Sequence, residues 1–279
     1  MKRDLYFSKP IMNASGSLGF VPDSRAGVAL DLFGAFVTNP FSLRPRLPAA
    51  KPELIEYPGG FLLHTGLPNP GLSAGIRKYA SRWDKFDMPI IIHLMADRPE
   101  ETQRMVRMLE SQENVMAAEL GFAPLLANDI IMLTLEMCLG ELPLIFSLPV
   151  EQVLSLGPRL IQEGAQAISI SAPRGALPPL PASTHLHLRQ VQVSFRSAQG
   201  EEKGLEVREI IHGRLYGPSL FPQTLETVFS AAKLGLPIIG AGGVWNKENA
   251  DAMLSAGALA VQVDAALWGF DWHNQSSIE

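Results

Sequence analysis

The length, composition and charge of the chain exclude several classes of protein. Its 279 residues are 47% hydrophobic and 18% charged, carry a net charge of −5 and include one cysteine. These values exclude a disordered chain, a basic nucleic-acid-binding surface, and a disulfide framework or cysteine metal site. No signal peptide or long apolar segment is apparent, so we expect one cytoplasmic domain without a membrane span. Because charged residues fall below the roughly 25% that is usual, we also expect a partner to cover part of the surface.

Short apolar strands alternate with helices along the first half of the chain. Strands are predicted over residues 11–14, 35–38, 89–95 and 116–120, and helices over residues 24–32, 99–111 and 129–139. The strand over residues 89–95 is a near-continuous apolar run, which is typical of a parallel strand buried on both faces. A Pro-rich loop over residues 39–69 is long for a compact domain, and loops of that length are usually functional.

The second half repeats the pattern around one interruption. Strands are predicted over residues 144–148, 167–171, 237–241 and 260–263, and helices near residues 223–234 and 247–256. Between residues 172 and 211, prolines precede two alternating segments, 185–195 and 205–211, which indicate an inserted β-hairpin after the sixth strand. The whole pattern predicts an α/β fold, a single (β/α)8 TIM barrel over residues 1–279, with its ligand at the carboxyl ends of the strands.

Two turns near the C-terminus carry the pattern of a phosphate site. Gly242 and Gly243 end one strand and precede a helix, which lets backbone N–H groups and the helix N-terminus approach an anion. Asp264 and Ala265 occupy the equivalent place one unit later. The pair matches the phosphate site that forms after the seventh and eighth strands of such barrels.

The helix predicted over residues 129–139 is apolar around most of its circumference. It is too short to span a bilayer, and an outer barrel helix needs only one apolar stripe. Its second apolar face indicates cover by another subunit, with burial under the chain's own termini as the open alternative. We therefore expect a homo-oligomer or a subunit of a hetero-complex. His185 and His187 share a strand face, but without carboxylate or cysteine at ligand spacing they predict no metal site.

Together these segments resemble the dihydroorotate dehydrogenases, in particular their soluble class, which are FMN-dependent barrels. The resemblance is carried by residues 10–16, 34–38, 45–46, 66–71, 217–218, 237–243 and 260–267. It implies an FMN-binding oxidoreductase that acts on a CH–CH bond if it is active. In that family the turn after the first strand lies against the flavin ring, which implies ring contacts from Ala14, Ser15 and Gly16.

The resemblance also assigns further ligand contacts. It implies that Gly242, Gly243, Asp264 and Ala265 hold the FMN phosphate. Other flavin contacts are implied at Thr38, Asn39, Ser147 and Gly217. Substrate contacts are implied at Leu63, His64, Gly121 and Ser169.

Several of these positions depart from the family pattern. Asn39 and Ser147 stand where the family has lysines, and residues 264–265 replace its usual Gly-Thr, which sets a carboxylate near a phosphate at a cost of about 1 kcal/mol or more. The motif that carries the family's cysteine base is reduced to residues 121–124, with Ala123 in place of a base. Leu63 and Ser169 replace substrate-binding asparagines. These losses argue against activity on dihydroorotate.

Other residues can replace the lost groups. His64 and His93 are candidate bases, and Arg174 and Arg214 are candidate positive charges, with a buried structural histidine and solvated arginines as the alternative interpretations. The leading hypothesis is a flavin oxidoreductase that acts on a different, less polar substrate. The second is a non-catalytic barrel subunit with a structural or regulatory role, and the third is a barrel that binds another phosphorylated metabolite. Catalytic residues, substrate and electron acceptor stay unassigned.

Overall fold

The barrel is formed by a parallel sheet of eight strands. The computed structural model describes residues 5–23, 27–51, 53–178 and 210–268, with the side chain of residue 53 left aside. The sheet runs in the order β1 (Ile11–Asn13), β12 (Ala260–Val263), β11 (Ile238–Ala241), β8 (Ala167–Ile170), β7 (Leu144–Leu148), β6 (Val115–Gly121), β5 (Ile90–Met95) and β2 (Phe36–Val37). A parallel bridge from Met12 to Ala35 joins its two ends. The sheet is a nearly closed barrel, and the predicted TIM-barrel fold is confirmed.

Six helices in the described residues pack around this barrel. They are α1 (Leu72–Trp83), α2 (Pro99–Glu110), α3 (Asn128–Cys138), α4 (Val150–Gln162), α5 (Phe221–Lys233) and α6 (Lys247–Ser255). Each presents one stripe to the sheet: in α4, Val153, Leu156 and Leu160 recur at helical spacing and are buried. Helices α1 and α4 were not predicted from the sequence. No helix of the described segments is long and apolar enough to cross a membrane.

A second, antiparallel sheet adjoins the barrel. Its four strands run in the order β3 (Glu53–Tyr57), β4 (Gly60–His64), β10 (Ile211–Tyr216) and β9 (Arg174–Leu177). The hairpin of β3 and β4 lies inside the segment that was predicted to be a loop. The inserted excursion begins with β9 and ends with β10, which pair antiparallel. Part of the predicted hairpin lies outside the described residues. This part is the segment 185–195, with His185 and His187, and most of the segment 205–211.

The helix predicted over residues 24–32 is wrong in its described part. Residues 24–26 lie outside the described ranges, and of the remainder only Leu30–Leu32 form a 3-10 turn. Gly27 has a φ of 71°, a left-handed conformation that interrupts an α-helix. The connection from β1 to β2 is therefore mostly irregular.

The interior of the barrel is filled in layers that follow from strand geometry. One layer is apolar and includes Ile91, Ala117, Ala167 and Ala260. Because side chains alternate along a strand, the residues two positions later must also point inward. Those residues are polar: His93, Glu119, Ser169 and Gln262. The sequence therefore places a polar layer directly above the apolar one, toward the carboxyl ends of the strands.

Candidate functional site

The polar layer is a connected hydrogen-bond network centred on Glu119. His93 and Glu119 are register partners on adjacent strands, and His93 Nδ1 lies 2.7 Å from Glu119 Oε2. The other carboxylate oxygen accepts hydrogen bonds from Ser169 Oγ at 2.7 Å and from Gln262 Nε2 at 2.8 Å. All four residues are buried. Glu119 thus joins strands β5, β6, β8 and β12 across the barrel.

The surroundings of Glu119 favour its ionised form. Burial raises the pKa of Glu119, but the hydrogen bond and charge of His93 and the donors Ser169 and Gln262 together hold that pKa below its ordinary value. An ionised carboxylate only accepts hydrogen bonds, so His93 Nδ1 must carry the proton that lies between them. In the neutral form of His93 the proton is therefore on Nδ1, and Nε2 carries the lone pair.

The other ring nitrogen of His93, Nε2, lies close to Gly121. A Cβ added at Gly121 would lie 2.4 Å from Nε2, which no larger residue could tolerate. Nε2 has no hydrogen-bond partner among the described residues, and His93 lines the cleft described next. The absence of a side chain at Gly121 therefore makes room for the imidazole.

A cleft with two lobes opens at the carboxyl ends of the strands. The outer lobe has a volume of about 420 Å³, within the range of small-molecule sites, and the inner lobe has about 60 Å³. The two lobes share six of their lining residues. These are His93, Gly121, Phe122, Arg174, Arg214 and Tyr216. Arg214 and Tyr216 come from β10, so the antiparallel sheet forms one wall of the cleft.

Ten of the residues predicted from the sequence line this cleft. The inner lobe is lined by Ala14, Ser15, Ser147, Gly242 and Asp264. The outer lobe is lined by Gly16, Asn39, Leu63, His64 and Gly121. The structure thus brings these ten residues together in one cleft.

Five other predicted residues line neither lobe. They are Thr38, Ser169, Gly217, Gly243 and Ala265. Thr38 is fully buried, and its hydroxyl accepts the backbone N–H of His93 at 3.2 Å. Ser169 donates to Glu119, and a Cβ at Gly217 would lie 2.3 Å from the carbonyl oxygen of Gly59. Thr38, Ser169 and Gly217 support the walls of the cleft from behind.

The turn after β11 is built as an anion cradle. Gly242 and Gly243 have φ values of 95° and 72°, and their N–H groups make no backbone hydrogen bond within the described part of the chain. Thr224 of α5 donates to the Gly242 carbonyl at 2.7 Å and fixes the turn. A Cβ at Gly243 would lie 2.3 Å from the backbone nitrogen of Phe221. Only glycine fits there, and the two free donors suit a phosphate.

The turn after β12 is less suited to an anion. Asp264 is buried, and its carboxylate accepts the N–H of Ala265 at 2.6 Å. Burial raises the pKa of Asp264 to about 6, although hydrogen bonds from the backbone of Ala265 and of Asp264 itself oppose that rise. The carboxylate therefore uses one N–H that a phosphate would need, and it carries negative charge at neutral pH.

Comparisons with known proteins agree with this geometry. The family model for dihydroorotate dehydrogenase matches residues 3–121. The catalytic subunit of dihydroorotate dehydrogenase B (NAD(+)) from Geotalea uraniireducens is 26% identical over 272 residues, which are 92% of this chain and 83% of the relative. Its counterpart from Trichlorobacter lovleyi is 29% identical over 269 residues, which are 94% of this chain and 84% of the relative. The chain is therefore similar to the dihydroorotate dehydrogenases over most of its length. The predicted resemblance is confirmed, and it supports a likeness to the flavin oxidoreductases of that group.

Sequence reasoning missed Glu119 and Gln262, and it treated His93 as an isolated candidate. A signal was present, because Glu119 is an acidic residue inside an apolar strand and lies two positions after Ala117. The same two-residue step leads from Ile91 to His93. Inward-facing polar residues on the adjacent strands β5 and β6 must lie close together, so the contact between His93 and Glu119 could have been predicted from strand periodicity.

Proposed function

We propose that this chain binds FMN non-covalently and acts as an oxidoreductase on a substrate other than dihydroorotate. The observation that carries the proposal is the pair of free N–H groups at Gly242 and Gly243, which adjoin the lobe lined by Ala14 and Ser15. The glycine turn would hold the phosphate, and the turn after β1 would support the ring. When bound, FMN supplies a hydride acceptor.

His93 is the proton acceptor in this proposal. Its Nδ1–H is held by the Glu119 carboxylate at 2.7 Å, so the ring cannot turn away from the cleft. Nε2 is free and faces the cleft, which is where a substrate proton must arrive. When Nε2 takes a proton, the imidazolium pairs with an ionised carboxylate, which stabilises the new charge. Glu119 is a positioning residue, since it acts through His93.

The groups that would bind dihydroorotate are absent from the cleft. Ala123, which lines the outer lobe, offers no proton acceptor, and Leu63 offers no amide. The Ser169 hydroxyl donates to Glu119 and lies behind the cleft surface. A site that lacks hydrogen-bond partners for a polar ring discriminates strongly against that ring. A different substrate is therefore proposed.

The visible spectrum of the purified protein tests the cofactor. A yellow preparation with flavin absorbance, from which heat releases FMN identified by mass spectrometry, is the expected result. A Gly243→Val variant should lose the cofactor, because a side chain at this position meets the Phe221 backbone. Gly235→Val is a matched control, since Gly235 has the same φ of 72° and the change carries the same backbone strain, but a Cβ there meets nothing within 4 Å and that turn lies outside the cleft.

A non-catalytic barrel subunit is the second candidate function. The small inner lobe of about 60 Å³ favours it, because a flavin seated on the glycine turn would require that lobe to widen. Asn39 and Ser147, which line the cleft, also bring no charge for a reduced flavin. A colourless protein that takes up no added FMN would support this candidate over the oxidoreductase.

A further inference from the structure

The outer lobe is positively charged although the whole chain is negative. Three arginines line the lobe, Arg46, Arg174 and Arg214, against one acidic residue, Asp97. The chain as a whole carries a net charge of −5. A cleft with low-dielectric walls and charges of one sign concentrates ligands of the opposite sign. The distribution of charge therefore points to an anionic ligand at this position.

Arg174 and Arg214 face each other without a carboxylate between them. They are register partners on the antiparallel strands β9 and β10, so their side chains project from the same face. Neither makes an ion pair within the described residues, whose ion pairs involve other side chains. Partial burial and the charge of Arg214 lower the pKa of Arg174, and Asp97 opposes that effect only in part. Like charges directly opposite on a sheet destabilise it, so a bound anion would relieve this contact.

Tyr216 holds one of these arginines in place. It follows Arg214 by two residues on the same strand, is buried, and hydrogen-bonds to the Arg214 side chain. Burial raises the pKa of Tyr216 despite the nearby arginines, so the phenol stays neutral. The Arg214 guanidinium is thereby oriented before any ligand binds, which lowers the entropy cost of binding.

We propose that the outer lobe binds its substrate through a dianionic group, held between Arg174 and Arg214 with Arg46 at the rim. The group is a phosphate monoester or a pair of carboxylates. Two guanidinium forks match the several oxygens of such a group, and a monoanion would leave one arginine uncompensated. The inference rests on the proposed function, since the dianion would place the rest of the substrate beside His93.

Calorimetric titration of the full-length protein with simple anions tests this site. Inorganic phosphate, succinate and acetate would be compared at matched ionic strength, and phosphate and succinate distinguish the two sources of a dianion. We expect at least one dianion to bind about 10-fold or more tightly than acetate. The variants Arg174→Gln and Arg214→Gln should each weaken the binding of that dianion about 10-fold or more. Arg77→Gln, on α1 and outside the cleft, is the control and should change nothing.

Each alternative outcome has a distinct meaning. Equal binding by the wild type and both cleft variants overturns the proposal, as does equal binding of acetate. Loss of phosphate binding on saturation with FMN would assign the arginines to the cofactor phosphate and overturn the substrate site. FMN absorbance is recorded on the same samples, so a missing flavin with intact dianion binding counts against the proposed function alone. The melting temperature of Arg174→Gln should not fall, because this change removes a like-charge contact.

Discussion

Glu119 and Asp264 are two buried carboxylates in the same barrel, and their surroundings have opposite effects. Glu119 receives hydrogen bonds from three side chains on three other strands, and its pKa is lowered. Among the described residues, the Asp264 carboxylate accepts hydrogen bonds only from the backbone of its own turn, and burial raises its pKa to about 6. Burial penalises both charges equally in principle, so the donors supplied by neighbouring strands decide the outcome.

The two ends of the cleft therefore differ in how they are built. The end proposed to hold a phosphate depends on backbone N–H groups at Gly242 and Gly243, which persist as long as both positions remain glycine. The opposite end depends on side chains that must change together, since His93 needs Glu119 as its partner and Gly121 for space. Relationship to a family is therefore better evidence for the cofactor than for the substrate of this chain.

The largest expected effect is the absence of activity on dihydroorotate. Purified protein loaded with FMN should show no bleaching of the flavin when dihydroorotate is added without oxygen. A missing base typically costs about 10²–10⁴-fold, and missing orienting contacts add to that loss. The double change Ala123→Cys with Ser147→Lys should restore little, because orientation is still absent. Flavin bleaching at a rate near an ordinary turnover of about 10 per second would show that the cleft still binds and oxidises dihydroorotate despite these replacements.

The sequence predicted most of the barrel because buried parallel strands are short apolar runs. The bounds of β7 and β12 agree with the structure to the residue, and the glycine turn after β11 was located correctly. Helix α4 was missed because Gly157 and Pro158 interrupt its pattern. The hairpin of β3 and β4 was missed because its turn, at Pro58 and Gly59, lies in a Pro-rich segment.

The candidate site was predicted in its backbone features and not in its side-chain contacts. The contact between Gln262 and Glu119 joins residues 143 positions apart, and no local pattern encodes such a pair. Only the closure of the barrel brings them together. The paired arginines illustrate the same limit, because their register depends on strands that flank a long insertion.

A sizeable effect on stability is expected for Glu119→Gln. The amide would turn a donor toward Ser169 or Gln262, so the free energy of unfolding at pH 7 should fall by about 1–3 kcal/mol. The folded-state pKa of Glu119 is lowered, so its contribution is present above about pH 4.5 and is lost as the pH falls through the folded value. Urea unfolding of both proteins from pH 7 to pH 3 measures this. A difference that persists unchanged at pH 3 would contradict the role of the charge. The control is Ser230→Ala on α5, which removes only an exposed side-chain hydrogen bond.

The opposite pH dependence is expected for Asp264. Its folded pKa is raised from 3.8 to about 6, so the folded state gains stability as the pH falls from about 6 to 4. Asp264→Asn keeps the acceptor for Ala265 and should unfold with up to about 3 kcal/mol more stability at pH 7.5. The advantage should disappear near pH 4. Equal stability of the two proteins at pH 7.5 would show that the carboxylate is not destabilising.

The same carboxylate should weaken phosphate binding. Asp264→Gly, which removes the negative charge beside the glycine turn, should tighten FMN by an amount near 1 kcal/mol or about 5-fold. Flavin fluorescence titration at pH 7.5 gives the two dissociation constants. An unchanged constant would place the cofactor phosphate away from Asp264 and weaken the contrast between the two ends of the cleft.

Substitutions on the exposed face of α3 should affect folding least and should strongly affect assembly. Ile131 and Leu135 of this helix are buried against the barrel, but Leu133 is 40% exposed and Leu139, which follows it, is 48% exposed. We predict that a second copy of the chain covers this face.

Sedimentation at micromolar concentration should then give twice the 30.4 kDa mass of one chain. Leu133→Glu with Leu139→Glu should give the monomer, with a change of about 0.5 kcal/mol or less in its stability because both sites are exposed. A wild-type chain that sediments as a monomer under these conditions would show that the apolar face is not a contact between copies.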